Sequence, residues 1–469
     1  MRMLSGPIAP DRETDRFLLA WFAIGFITVL AMAFVTPPFQ TPDEAQHYFR
    51  AYQISEGTLV ADVQGDISGG ELPASLEMFA KHFLGPVLLH APRPVNRMPL
   101  KQTFAASAQP LEVDKRVFIN FSGLSFYAPL AYAGQAVGMA AGRHAGAGPL
   151  ALFYLARVMN ALCALAVLYC ALRLLPFGKE LVAFIALLPM PMSLYGSCSP
   201  DAMIISTAFL LTALVLNRIW ADTWSHRDSF IAILCATTFC AIKPVYSPML
   251  MLGFFGIFFT TRRTEVVKQQ AAVLVMCLIA TFVWLRITAP AMVAVRSDVS
   301  VHDQIAHILN APAGYLHTLA SSFWWHGFYY RHFVGVLGWL TIPLPLAAYV
   351  LPLIAIVAAW GSEQRAHPYR VGLFACYCMA IIAVSTTLLM TALYVTWTPV
   401  GKWLIDGVQG RYFLPLAPLG ALAFLSLSGR KKYWKQSTMQ AVILCLIVLE
   451  AAMALTTLAN RYAAFSDIF

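Results

Sequence analysis

Apolar runs long enough to cross a lipid bilayer recur along the whole sequence, and this feature constrains the fold more than any other. About 20 apolar residues are needed to cross about 30 Å of hydrocarbon at 1.5 Å per residue. The first run, residues 17–35, contains no charge. Of all residues 59% are hydrophobic and 12% are charged, whereas about a quarter of the residues of a soluble domain are charged. We therefore expect an all-α polytopic membrane protein.

The excess positive charge of the chain lies in short basic clusters between the apolar runs. The formal net charge is +9. Basic residues beside membrane spans mark the cytoplasmic side, so the clusters indicate orientation and no nucleic-acid partner is expected. The nine cysteines form no CxxC pair, and the sequence therefore suggests neither a zinc site nor a disulfide framework.

The basic clusters also predict which apolar segments cross. Between Arg16 and Arg173 lie three such segments, 17–35, 121–141 and 150–172, although only two crossings keep both arginines on one side. The segment 121–141 is rich in Gly, Ser, Pro and Tyr, so we expect it to lie at the interface without crossing. About eleven transmembrane helices are then predicted.

The resulting organisation has four parts. They are a cytoplasmic N-terminus (1–16), a first transmembrane helix (17–35), a periplasmic loop with juxtamembrane helices (36–149) and a transmembrane helical domain (150–469). Further periplasmic loops are expected near 197–201, 243–244, 290–332 and 398–411. This topology predicts a multi-pass membrane protein. Charged residues on the outer face have no topological need to be there, and they are the candidates for chemistry.

The first candidates directly follow the first span. Asp43, His47 and Arg50 are spaced i, i+4 and i+7, so a helix would place all three on one face near the bilayer surface. Asp43 is the candidate catalytic base, with Glu44 beside it, and His47 and Arg50 are candidate substrate ligands.

The same segment also fits a structural role or a metal-binding role. Thr41 as N-cap, with Pro42 in the first turn and Glu44 three residues on, would form a capping box with no catalytic role. The spacing of Glu44 and His47 also allows a divalent cation. Two ligands are a weak motif, however, so we expect no dedicated metal site and no certain cofactor.

Several later charges are candidate ligands for a phosphate. Arg157 lies within an apolar run, where an unpaired cation costs at least about 2.5 kcal/mol, and Lys243 and Arg411 lie at predicted outer turns. Asp201, before a span, is a secondary substrate-binding candidate that can also cap its helix. Trp324, Trp325 and His326 form either an interfacial aromatic belt or a sugar-stacking surface.

Two motifs carry a family resemblance. Residues 42–50, PDEAQHYFR, and residues 407–415, GVQGRYFLP, resemble the bacterial domain-of-unknown-function family 2142, which is similar to the GT-C glycosyltransferases. The resemblance implies a GT-C-like fold, a catalytic carboxylate in the first external loop, here Asp43, and a polyprenyl-phosphate-linked sugar as donor. It also implies Arg157 near the outer end of the span after that loop.

The resemblance therefore implies an inverting glycosyltransferase on the periplasmic face of a bacterial inner membrane, with a lipid-linked or surface glycan as acceptor and membrane lipids around it. A transporter or flippase of lipid-linked sugars is the alternative. It would need ionisable residues near the middle of the membrane and related halves. A purely structural scaffold is a third possibility, which gives no reason for Asp43, Arg157 and Lys243 to share one side.

Overall fold

The computed structural model describes residues 12–84, 103, 106–221, 226–293, 296–325, 329–361, 371–427 and 434–462. These residues are mostly helical, as expected for an α-helical membrane protein. Among them, the helices long and apolar enough to cross a bilayer number six: Arg12–Val35, Pro149–Leu174, Asp201–Ala221, Arg263–Ala291, Gly372–Thr396 and Gln436–Tyr462.

In chain order the described α-helices are α1 (Arg12–Val35), α2 (Glu44–Ser55), α3 (Ala74–Leu84), α4 (Ala133–His144), α5 (Pro149–Leu174), α6 (Lys179–Ala186), α7 (Pro189–Tyr195), α8 (Asp201–Ala221), α9 (His226–Ile242), α10 (Arg263–Thr288), α11 (Val301–Asn310), α12 (Pro312–Trp325), α13 (Tyr329–Val334), α14 (Leu346–Trp360), α15 (Val371–Thr396), α16 (Ala417–Ser426) and α17 (Gln436–Tyr462). Segments of 3₁₀ helix are Ser122–Leu124, Pro129–Tyr132, Pro244–Phe258, Ala289–Ala291 and Gly410–Leu416.

Three further apolar helices are shorter: Ser229–Ile242, Pro244–Phe258 and Leu346–Trp360. The second of them is a 3₁₀ helix of 15 residues with Pro248 inside it. A 3₁₀ helix rises about 2.0 Å per residue, so 15 residues extend about 30 Å, the thickness of the hydrocarbon layer. The same residues in an α-helix would reach only about 22 Å.

Residues 36–149 contain the small sheet. Strand β2 (Ile67–Pro73) pairs antiparallel with β1 (Asp62–Gln64) on one side and with β3 (Arg116–Asn120) on the other. Gly69 faces Asn120 across the second pair, where a Cβ on Gly69 would lie 1.9 Å from the carbonyl oxygen of Ile119. A second, two-stranded sheet joins β4 (Val336–Leu337) and β5 (Ile342–Pro343).

The segment 121–141 forms no long apolar helix. It contains two short 3₁₀ turns and the start of α4, which has 12 residues and is about 18 Å long. Gly134 and Gly138 let α4 lie directly on α5, because a Cβ at either position would lie within 3.0 Å of a carbonyl oxygen of α5. Its glycines therefore serve helix packing, and its position relative to a membrane stays a prediction.

Polar contacts at one end of the helices identify what we call the basic end. There Arg173 pairs with Asp15 at 3.2 Å, and Lys179 donates to the Arg173 carbonyl. Glu180 accepts hydrogen bonds from Gln436 at 3.1 Å and from Gln440 at 3.2 Å. These contacts join the start of α1, the end of α5 and the starts of α6 and α17. The candidate residues lie at the other end.

Candidate functional site

Asp43 occupies the turn between α1 and α2 in a left-handed conformation, with φ 61° and ψ 8°. This conformation costs an L-residue about 1–2 kcal/mol, although Asp tolerates it better than most. Helix α2 begins at Glu44, and Asp43, its N-cap, makes no side-chain capping hydrogen bond. The structural alternative, a capping box through Thr41, is therefore not formed, and the Asp43 carboxylate caps no backbone N–H of α2.

Four charged side chains from separate segments meet at this end of the helices. Arg411 Nη2 lies 3.8 Å from Asp43 Oδ2, and Arg411 Nη1 lies 3.4 Å from Asp201 Oδ2. Lys243 Nζ lies 4.0 Å from the other oxygen of Asp201. We call Asp43, Asp201, Lys243 and Arg411 the charged cluster. All three separations exceed those of direct hydrogen bonds, so the groups attract one another without forming close hydrogen-bonded pairs.

The two cations of the cluster lie against Tyr412. Lys243 Nζ is 4.6 Å from the centre of the Tyr412 ring, and the Arg411 guanidinium carbon is 5.4 Å from it. A second aromatic residue fixes this wall, because the Tyr246 hydroxyl donates to the Tyr412 carbonyl at 2.7 Å. The hydrogen bond holds the 3₁₀ helix Pro244–Phe258, which follows Lys243, against the segment that carries Arg411.

Glycine is needed in the segment before Arg411 because neighbouring backbone leaves no room for a side chain at Gly410. A Cβ at this position would lie 2.1 Å from the Tyr329 carbonyl oxygen and 2.5 Å from the Phe333 amide nitrogen. Gly407 has φ +77°, a conformation that favours glycine. Gly410 thus allows the backbone to press against α13, and Gly407 packs closely against the Trp397 side chain. Arg411, which follows them, is only 6% exposed.

Burial sets the acid–base behaviour of Asp43. About half of its side chain, 48%, is accessible, yet the surrounding protein raises the pKa of the carboxyl above its ordinary value of 3.8. The Arg411 charge opposes this shift, and the Asp201 charge adds to it. A carboxylate with a raised pKa is a stronger base, and this one is accessible to a substrate hydroxyl.

His47 lies beside the cluster as a neutral group. Its Nδ1 is 2.9 Å from the Tyr132 hydroxyl, and the side chain is buried. Burial lowers its pKa to about 3; the Asp201 charge opposes this, and the charges of Arg411 and Lys243 add to it. His47 is therefore uncharged at neutral pH and supports the wall of the site through Tyr132.

Glu44 and Arg157 form a fully buried ion pair outside the charged cluster. Arg157 Nε and Nη2 donate to the two carboxylate oxygens of Glu44 at 2.9 and 2.8 Å. The three remaining N–H groups of the guanidinium donate to the carbonyls of Ala33, Thr36 and Pro37. Glu44 also accepts from the Cys198 amide at 2.9 Å.

This arrangement corrects the roles predicted for Glu44 and Arg157. All five N–H groups of Arg157 are engaged within the protein, so none is left for a lipid phosphate, and Glu44 is not placed as a base. The pair instead joins the end of α1, the start of α2, α5 and the turn at Cys198. That turn leads into Asp201, so the pair positions the segments carrying both carboxylates of the cluster.

The other predicted ligands lie outside the charged cluster. Arg50 is buried and donates to the Gln53 side chain and to the Leu59 carbonyl, which ties α2 to the chain before the sheet. Trp324 on α12 is 84% exposed. The Trp325 side chain and His326 lie outside the described residues.

Two of the site residues were missed by sequence reasoning. No sequence pattern singles out Tyr132. Tyr412 lies beside Arg411 in the second motif, but its residue type alone does not indicate a role in the site. In the described part of the chain, no group of three or more His, Cys, Asp or Glu side chains is arranged to hold a metal ion. The weak metal alternative through Glu44 and His47 also loses its geometry, because Glu44 is committed to Arg157.

The cluster combines an accessible carboxylate of raised pKa with two cations on an aromatic wall. This set can take a proton from a hydroxyl and hold an anionic group beside it. No curated protein and no solved structure shows significant similarity to the chain. Residues 26–420 match the family described as predicted membrane protein (DUF2142). Since the match covers most of the sequence, the chain belongs to this family of predicted membrane proteins.

Proposed function

We propose that the protein is an inverting glycosyltransferase that moves a sugar from a polyprenyl-phosphate donor to a hydroxyl of a lipid-linked or surface glycan. The observation that carries this proposal is the geometry of Asp43 and Arg411. An accessible carboxylate lies 3.8 Å from a guanidinium held by a separate segment, with Lys243 and Asp201 next to it. Asp43 as the base and Arg411 as the phosphate ligand are thus close enough to contact one sugar phosphate together.

In this reaction Asp43 takes the proton of the acceptor hydroxyl as its oxygen attacks the anomeric carbon. The bond from that carbon to the phosphate oxygen breaks, and its electron pair leaves with the polyprenyl phosphate. Arg411 and Lys243 stabilise the leaving phosphate in place of the predicted Arg157. Tyr412, against which both cations lie, offers an aromatic face to the sugar.

The proposal includes the topology. Eleven crossings arise from the six long helices, the three shorter apolar ones and two interrupted spans, α6 with α7 and Gly410–Leu416 with α16. The basic end faces the cytoplasm, and the charged cluster faces the periplasm of a bacterial inner membrane. Lys179 and Arg173 at the basic end agree with the positive-inside rule.

The test uses purified protein and a synthetic polyprenyl-phosphate sugar. Asp43→Asn is expected to reduce transfer at least about a hundredfold, because the amide keeps the shape but cannot take the proton. Asp298→Asn is the matched control, since Asp298 pairs with Arg296 on the exposed surface. Wild-type transfer by Asp43→Asn would exclude Asp43 as the base.

One observation favours the alternative, a transporter or flippase of lipid-linked sugars. Glu450 lies in the middle of α17, and sequence reasoning overlooked it although it is an acid within the predicted last span. An ionisable residue at that depth is typical of transporters. Deleting the chromosomal copy separates the two functions. Surface glycans that lack one sugar mass indicate a transferase, whereas loss of the whole glycan indicates a flippase.

A further inference from the structure

Glu450 lies about 20 Å from each end of α17, a helix long and apolar enough to cross a membrane. Its side chain is completely buried. Neither carboxyl oxygen has a hydrogen-bond partner among the described residues. The group belongs neither to the charged cluster nor to the Glu44–Arg157 pair, so the proposed sugar transfer makes no use of it.

Two other buried glutamates show how this protein compensates such a group. Glu44 accepts from Arg157 and from the Cys198 amide, and Glu180 accepts from two glutamine side chains at the basic end. Glu450 has neither a cationic partner nor a hydrogen-bond donor among the described residues. An ionised carboxylate without partners is very unfavourable away from water, whereas its protonated form is much less so. The surroundings of Glu450 therefore favour a bound proton.

The elements packed against α17 bring no charge to its middle. They are α1, α6, α7 and α14. Their charged groups all lie at the basic end: Arg12, Glu13, Asp15 and Arg16 on α1, and Lys179 and Glu180 on α6. The remaining titratable groups are the phenols of Tyr195 on α7 and Tyr349 on α14. The Tyr349 hydroxyl is engaged, since it donates to the Gly335 carbonyl and accepts from the Leu344 amide.

Towards the end that carries the charged cluster, α13 contributes further titratable groups. Tyr330 on α13 donates to the Tyr349 carbonyl; burial raises the pKa of its phenol, and Glu450 is close enough for its charge to add to this shift. The next residues, Arg331 and His332, line a cavity of about 200 Å³ with Val336, Leu340, Thr341 and Pro343. A polar cavity of this size holds several water molecules.

We propose that Glu450 is a proton-binding site within the membrane span that exchanges its proton with water at the charged-cluster end. The ligand is a proton and not a metal cation, because a metal needs several oxygen ligands and no such group of acidic side chains surrounds Glu450 in the described chain. Tyr330 and the cavity beside it supply the polar route from the aqueous side.

The test uses dicyclohexylcarbodiimide, an apolar reagent that attacks protonated carboxyl groups inside membranes. The carboxyl O–H adds across one C=N bond: the oxygen bonds to the central carbon, the proton goes to a nitrogen, and the isourea rearranges to an N-acylurea without a leaving group. In proteoliposomes carrying the full chain, mass spectrometry of peptides is expected to find the adduct on Glu450. Glu44 and Glu180, which are buried but compensated, are the internal controls.

The outside pH is then varied at constant inside pH, with inside-out and right-side-out vesicles separated. Labelling of Glu450 is expected to fall as the pH at the charged-cluster side rises, by about tenfold per pH unit once most of the group is ionised. Glu450→Gln should remove the adduct, and Glu450→Asp should keep it. Equal labelling of Glu44, no adduct on Glu450 in folded protein, or labelling that ignores pH at that side would overturn the proposal. Protection by sodium ions would overturn it in favour of a cation site.

Discussion

Replacing Arg157 with alanine removes a guanidinium whose five N–H groups are all satisfied by protein acceptors. The Glu44 carboxylate would remain fully buried with the Cys198 amide as its remaining donor. Breaking a buried ion pair by removing one partner costs about 3–5 kcal/mol. Because the carbonyls of Ala33, Thr36 and Pro37 lose a donor as well, we expect a loss of stability in the upper part of this range.

The assay compares the unfolding of purified variants in one detergent, followed by the fraction that stays monodisperse after heating or urea. Arg157→Lys is expected to lose nearly as much as alanine, since an ammonium cannot donate along both edges of the carboxylate and to three carbonyls. The double variant Glu44→Leu with Arg157→Leu should recover part of the loss, because no lone charge stays buried. Arg286→Ala, at an exposed arginine of α10, is the control.

The same series separates a structural role for Arg157 from phosphate binding. A structural arginine couples strongly to Glu44 in a double-mutant cycle, with an interaction energy above about 2 kcal/mol. If Arg157→Ala unfolds like the wild type yet binds the polyprenyl-phosphate donor more weakly, the structural assignment fails. The same follows if Glu44→Gln leaves stability unchanged.

Three further outcomes follow from the geometry of the site. Arg411→Ala should weaken donor binding, measured by titration, by at least about tenfold. Arg411→Lys should weaken it less, because lysine keeps the charge but not the planar donors that face two carboxylates. Equal donor affinity of the wild type and both variants would exclude Arg411 as a ligand. The rate of transfer should rise with pH as Asp43 loses its proton. The midpoint of this rise should lie above pH 3.8, the ordinary pKa of an aspartate, because burial raises the pKa of Asp43. A midpoint of kcat/KM at or below pH 3.8 would contradict the assignment of Asp43 as the base. Cysteines placed singly at Asp66 and Ala145, both exposed, should react with an impermeant maleimide in intact spheroplasts, and protection of Ala145→Cys alone would refute the topology proposed for residues 121–141.

The helical fold could be predicted from the sequence because length and hydrophobicity determine membrane spans locally. The spans interrupted by proline were harder to predict from the sequence. Residues 181–194 form two short helices, since Pro189 and Pro191 lack the N–H that an uninterrupted α-helix needs. The 3₁₀ helix Pro244–Phe258 was also not expected, because 3₁₀ segments are usually short.

The candidate site was predicted in part, for a physical reason that differs from residue to residue. Asp43, Lys243, Asp201 and Arg411 were identified because charges on the outer side have no topological explanation. The partner of Arg157 could not be found in the same way, because Glu44 is over a hundred positions away and local spacing instead suggested a capping box. That long-range pair prevails over the local capping preference, and it leaves the helix starting at Glu44 with Asp43 left-handed.

The balance of charges in the cluster predicts an unusual effect for Asp201. Its two oxygens lie 4.0 Å from Lys243 and 3.4 Å from Arg411, so a phosphate bound by both cations would share them with this carboxylate. Asp201→Asn should therefore tighten donor binding by about tenfold, close to 1.4 kcal/mol, because the phosphate no longer competes with a carboxylate. The Asp201 charge also raises the pKa of Asp43, so the same variant should shift the midpoint of the pH–rate profile downwards and slow the chemical step. The matched control is Asp406→Asn, whose carboxylate pairs with Lys402 on the surface at 2.7 Å. Donor binding that weakens in Asp201→Asn would show that Asp201 holds the cations in place for the phosphate and does not compete with it.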